Sequence, residues 1–352
     1  MNLLALCMTG LLYATSQEFE ERRLATVPDE GELARTLFST DGRNVAYSTV
    51  RTTALRHQEW RVVLGEWQSP LFDFAPVFAL SGDGKRVLYY GGKRERHPCP
   101  LYVNDTMIPE PEKGWQLDTF ATMSTDGQTA GYTLRHEERK LWAIALNEKR
   151  GKEFSTRVSL PALSADGKAF AYVVLDEAKP FVMVGDMKGP EFEYVGGLAL
   201  SADGKVVAYT ADDGNGEFLL LGDRRIPLGH PAVSIFISPD GAAAGCVLRR
   251  GEKVGGKVRE FYRVQVGDKS GPEYSSIVQR PVFSADGKTV AYGATDVRGE
   301  NPGETETFVV IGERKIHAPG LIGAPVFSAD GRRVGYGARI GRELWWKVVK
   351  VE

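Results

Sequence analysis

Eight copies of one eleven-residue pattern divide this chain of 352 residues into near-equal parts. They begin at Phe38, Leu80, Met123, Leu163, Leu200, Ile237, Phe283 and Phe327, and the copy at Phe283 reads FSADGKTVAYG. The Asp of each copy follows its predecessor by 37 to 46 residues. A strand-like unit repeated at a period near 40 is the signature of a β-propeller, in which each repeat supplies one four-stranded sheet. The letters have local reasons. An apolar run ends at Ser, Asp folds its carboxylate onto nearby backbone N–H groups, and Gly supplies the positive φ of a tight turn. An alternating strand such as TVAYG follows, apolar on one face. A calcium loop would need several acidic ligands at alternate positions, and each copy brings one carboxylate, so these are turns.

A second signature trails each of the first seven copies: an apolar residue, then Gly or Asn, then Asp or Glu. It occurs at Gly65, Asn104, Asn147, Gly185, Gly222, Gly267 and Gly312, and marks the turn between a third and a fourth strand. The eighth copy lacks it, because the chain ends at Glu352 after a third strand, ELWWKVVKVE. An open edge there would be a liability, and the strand-like segment Arg22–Val27 is free to cover it. The expected fold is all-β: a single eight-bladed propeller of four-stranded blades over residues 18–352, its ring closed by an N-terminal strand that completes the last blade.

The SADGK-x-[VF]-AY copies resemble the WD40-like repeats of TolB-type propellers, whose usual pattern is Ser-Pro-Asp-Gly-Lys followed by an aliphatic-Ala-aromatic strand. The resemblance covers about residues 20 to 352. Only Ser238-Pro239-Asp240-Gly241 keeps the Pro, and no separate N-terminal α/β domain is present. The resemblance implies the fold but not the function, because propellers of this type serve as partner platforms, as enzyme gates and as enzymes.

A net charge of −2 argues against a nucleic-acid partner, which a basic stripe would mark. No apolar run approaches the roughly 20 residues of a membrane-spanning helix. Residues 1–17 hold an apolar core, Leu3–Ala14, of signal-peptide length, without the usual positive charge before it. They imply a periplasmic or secreted protein, with a cytoplasmic one as the alternative. Of the other cysteines, Cys99 and Cys246, the second falls where other copies place a buried Tyr, which makes it a core thiol.

Function is expected on the face that carries the variable loops between second and third strands. Arg56-His57, Arg96-His97 and Arg135-His136 put one dipeptide into the loops of blades one, two and three. Imidazoles converging there would suit a transition metal, with His57, His97 and His136 as candidates, or an anion gripped with arginine forks. Longer stretches in blades six and eight add Arg249, Arg250, Arg339 and Arg342, while blades four and five offer Asp176, Glu177, Asp212 and Asp213. These residues suggest a binding or scaffolding module, monomeric and without a cofactor, that docks a protein, peptide or anionic ligand on the long-loop face. An acidic partner fits the arginines. The alternative is a metal-assisted hydrolase or lyase at the channel mouth. Serine catalysis has no support, since no Ser follows a Gly two positions back as a nucleophile elbow requires.

Overall fold

A computed structural model describes residues 20–351, apart from 30, 55–56, 94–99, 110–111, 160, 177, 255–256 and 298–304. Every regular element in it is a strand, and the strands form eight four-stranded antiparallel sheets. Sheet one holds Glu32–Phe38, Val45–Thr52, Gln58–Leu64 and Trp67–Gln68 in chain order. Sheets two to seven repeat that meander. The first strand of one sheet lies beside the first strand of the next, which puts the first strands innermost. The fold is a β-propeller.

Sheet eight is assembled from both ends of the described chain. Its first three strands are Val326–Phe327, Arg333–Ile340 and Glu343–Lys350, and Glu20–Thr26 pairs antiparallel with the last of these. The pairing runs from Glu20 opposite Val348 to Thr26 opposite Glu343. Ion pairs reinforce it at Arg23–Glu343 (2.9 Å), Lys347–Glu21 (2.8 Å) and Arg333–Glu20 (3.1 Å). Val27 ends the strand with its N–H on the Arg342 carbonyl (2.8 Å) and its side chain 2% exposed.

The eight Ser-x-Asp-Gly turns share one construction. In the fourth copy the buried Ser164 hydroxyl donates to Asp166 Oδ1 (2.8 Å) and accepts from the N–H of Ala169 (3.0 Å). Asp166 Oδ1 also accepts from the N–H of Lys168 (3.1 Å). The carboxylate is thereby spent on the turn itself. Glycine is required for two reasons. Gly204 sits at φ +73°, and a Cβ there would lie 2.3 Å from the Cβ of Ala169 in the neighbouring sheet. These turns are also stitched to one another: Thr40 N–H reaches the Gly82 carbonyl (3.1 Å), Gly82 that of Thr125 (2.7 Å), and Ala202 that of Pro239 (2.9 Å).

The seven Gly/Asn turns between third and fourth strands all have a left-handed residue, from φ +51° at Asn104 to +58° at Gly65 and Gly312. The two asparagines add contacts that Gly lacks: Asn104 Oδ1 accepts from Val87 N–H (2.9 Å) and its amide donates to the Lys85 carbonyl (2.9 Å).

The core is distributed as apolar clusters wedged between neighbouring sheets. Ala46, Val62 and Leu64 of sheet one pack on Val77, Val87 and Tyr89 of sheet two. Ala199, Ala208 and Leu219 of sheet five meet Ile235 and Cys246 of sheet six. Val45, Tyr47 and Val63 of sheet one meet Val27 and Leu344 of sheet eight. Cys246 is 0% exposed, and burial pushes its thiol up to about 12, so it behaves as a small core residue.

Candidate functional site

On the long-loop face the described candidate residues sit in different local settings. In sheet three the second strand, Ala130–His136, continues its alternation inward through Tyr132 and Leu134 to His136. The His136 ring is therefore 8% exposed, packed edge-on against Trp115 at 5.4 Å, with Nδ1 accepting from the N–H of Arg139 (3.3 Å). His57, by contrast, is exposed at the foot of a hairpin, where its backbone pairs with Thr53. Arg56, Arg96 and His97 lie outside the described residues. Among the described residues no group of three His, Cys, Asp or Glu side chains is placed to hold a metal ion.

The arginines expected to grip an anion are engaged close to home. Arg135 lies 4.0 Å from Glu137 and over the Trp142 ring, and Arg249 lies 3.5 Å from Glu260. Arg250 forks onto Glu273 with bonds of 3.0 Å from both Nε and Nη2, and also reaches Glu252 (2.8 Å). Arg342 holds Asp29 (3.1 Å) and the Val27 carbonyl (3.0 Å), and Arg339 Nε caps the Gly341 carbonyl (2.9 Å). The stretch around Arg249, expected as a loop, is a long hairpin: Ala244–Val254 pairs with Lys257–Val266 without interruption. Within the hairpin Arg249 meets Glu260, whereas Arg250 reaches out of it to Glu273 on the following strand, Lys269–Tyr274.

A different residue carries an uncommitted charge. A cavity of about 690 Å³ lies along the axis, bounded by the innermost strands of sheets three to seven. Among the described residues lining it, Arg280 alone is charged. Its guanidinium donates to the Ile235 carbonyl (3.3 Å), and no carboxylate among the described residues lies within ion-pair distance. Water reaches Arg280 through the cavity, yet the surrounding protein lowers its pKa by desolvation. It was absent from the sequence-derived candidates. Its sequence signal, a lone Arg before Pro281 inside an apolar strand, could have found it.

Exposed large apolar side chains concentrate on the long-loop face. Eight of the ten exposed large hydrophobic side chains lie at the sheet ends that carry the long loops, and only Met107 and Met187 lie at the other. Phe74, Leu175, Tyr194, Val233, Val278 and Ile340 come from sheets two, four, five, six, seven and eight. Tyr194 is 52% exposed although it begins an innermost strand.

A second cleft, of about 800 Å³, opens on the opposite face between sheets eight and one, with Trp346 and Phe327 in its wall. Its charges are largely paired, Arg333 with Glu20 and Arg22 with the Gly42 carbonyl.

No protein-family model matches the chain, and no curated protein matches it in sequence. Solved structures do. The oligogalacturonate lyase of Vibrio parahaemolyticus superposes with a TM-score of 0.50 at 11% identity, over 95% of this chain and 97% of that one. An oligogalacturonate lyase in complex with manganese gives 0.50 at 10% identity, with 96% of each chain covered. TolB from Acinetobacter baumannii is matched at 15% identity over 87% of this chain and 79% of its own, with a TM-score of 0.32. At such identities a likeness reports the β-propeller fold alone.

Proposed function

We propose that the eight sheets are the blades of one closed propeller over residues 18–352, and that its long-loop face docks a protein or peptide partner. The observation that carries this reading is the apolar rim. Phe74, Tyr194, Val233 and Val278 are solvent-facing at the long-loop ends of sheets two, five, six and seven, whereas among the described residues only Met107 and Met187 are exposed large apolar side chains at the other end. Exposed apolar side chains concentrated on one face favour an interaction site there. The arginines of sheets six and eight border the rim and favour an acidic partner, even though each already has a local acceptor. In the same reading the protein is a monomer, residues 1–17 direct export, and the partner is met in the periplasm or outside the cell. His57, exposed on this face, belongs to it as a polar contact.

The enzymatic alternative places a metal-assisted hydrolase or lyase at the same channel mouth. The two readings separate in one experiment. A photo-crosslinking residue is placed at Tyr194 or Val233, and at Met187 as the control, which is 72% exposed on the outer edge of sheet four. In the native host the rim positions are expected to capture one defined protein that Met187 does not. Equal capture at all three positions, or none at the rim, would overturn the platform reading. Stoichiometric metal in the purified protein would favour the enzyme.

A further inference from the structure

We infer that the axial cavity binds a carboxylate at Arg280, so that the docked partner, or a small acid, sends one anionic group down the axis. This deepens the docking reading and rests on it for the partner, though not for the cavity.

The local backbone is built to present this side chain. Sheet seven's innermost strand, Ser276–Phe283, loses register with its neighbour between Gln279 and Val282, which leaves Arg280 and Pro281 outside the ladder. A bulge of this kind bends the strand and re-aims a side chain, and Pro281 suits it because proline has no N–H to give the ladder. Sheet five carries a matching irregularity between Val195 and Leu198, and there the two skipped residues are Gly196 and Gly197. Both glycines line the cavity that Arg280 enters. A Cβ on Gly197 would press on Ile235 at 3.2 Å, the residue whose carbonyl receives Arg280. One wall of the cavity is thus stripped of side chains and another supplies a single cation.

The chemistry selects the ligand class. Guanidinium offers five N–H donors in a planar fork, and one weak bond to a main-chain carbonyl leaves most of them for a ligand. A carboxylate matches the fork with two parallel bonds and balances the single positive charge. A phosphate dianion would leave one charge unbalanced, since Arg280 alone is charged among the described residues lining the cavity. Desolvation by the surrounding strands lowers the pKa of Arg280. A volume near 690 Å³ takes a carboxylate together with a few residues of chain.

The test uses calorimetry on the full chain with three probes: acetyl-trialanine with a free C-terminal carboxylate, the same peptide as its amide, and sodium acetate. The free acid is expected to bind saturably and the amide about tenfold more weakly or worse. Acetate binding as tightly as the peptide acid assigns the site to small acids, whereas a clear preference for the peptide assigns it to a chain terminus. Arg280→Met is expected to lose at least about tenfold in affinity for the acid, and Arg280→Lys, which keeps the charge, to retain most of it. Thermal unfolding of both variants separates lost binding from lost fold. Equal binding of acid and amide, no effect of Arg280→Met in a folded protein, or no saturation by about 10 mM would overturn the inference. Crosslinks from Tyr194 that persist after such a failure would leave the docking reading standing on its own.

Discussion

At the scale of single residues, the repeated turns couple stability to acid. Ser164 and Ser201 hydrogen-bond to Asp166 and Asp203, and these bonds, followed by the backbone N–H bonds, hold both carboxyls down to about 2. Asp83, Asp240, Asp286 and Asp330 are lowered by the same arrangement. In an unfolded chain an Asp titrates near 3.9. The stabilisation is therefore fully present above about pH 4 and is lost as the pH falls toward 2. The double variant Ser164→Ala, Ser201→Ala is expected to be less stable at pH 7 by roughly 1–2 kcal/mol per site, since each buried hydroxyl also accepts a backbone N–H. Its further loss between pH 4 and pH 2 should be shallower than that of the parent. Urea midpoints at pH 7 and pH 3 check both statements, and a parallel decline of parent and variant would refute the coupling. The Asp-Gly turn was legible in the sequence because its geometry is local, a carboxylate and a left-handed Gly side by side, whereas the bond from the Ser hydroxyl to that carboxylate emerged only from the structure. His136 was less legible. Its repeated Arg-His dipeptide suggested a shared site, but the inward phase set by Tyr132 and Leu134 carries it into the core.

At the scale of elements, the strand Glu20–Thr26 does what no neighbouring sheet can do for Glu343–Lys350, which is to satisfy its outer edge. Val27 anchors it in a cluster with Val45, Tyr47 and Leu344. Val27→Ala is expected to cost about 2 kcal/mol, the usual toll for shaving a packed aliphatic side chain. Deleting residues 20–27 should expose the edge of Glu343–Lys350 and turn the protein into oligomers or aggregates, visible by size-exclusion chromatography. A deletion variant that stays monomeric with unchanged Tm would show that the strand is ornamental. The strand itself was legible, because a missing fourth strand at one end and a free strand-like segment at the other define each other. The hairpin Ala244–Val266 was not: Gly and charge at its tip read as a loop, while the cross-strand pairing of Arg249 with Tyr262 and Arg250 with Phe261 makes it sheet. Arg280 escaped for a related reason. A bulge depends on what a strand's partner does 9 to 16 residues away, which the local sequence of the strand does not display.

At the scale of the whole molecule, each sheet packs mainly on the sheets before and after it, so cohesion does not depend on where the chain is cut. Glu20 lies directly opposite Val348, which brings the two ends of the described chain together. A permutant that links Val351 to Glu20 by a short linker and opens between Gly267 and Asp268 moves the shared sheet from eight to six. Gly267 has open space around it, so the cut disturbs no packing. The permutant is expected to unfold in one transition with a Tm within roughly 5 °C of the parent, and calorimetry showing two separate transitions would contradict it. The present arrangement has a consequence in time. Arg23 emerges from the ribosome 320 residues ahead of Glu343, its partner. At about 5–20 residues per second, that first strand waits roughly 16 to 64 s for the last one to be made. Until Glu343–Lys350 has been made, Glu20–Thr26 is a strand without its partner, and any helper that shields it has to let go only once that partner has emerged.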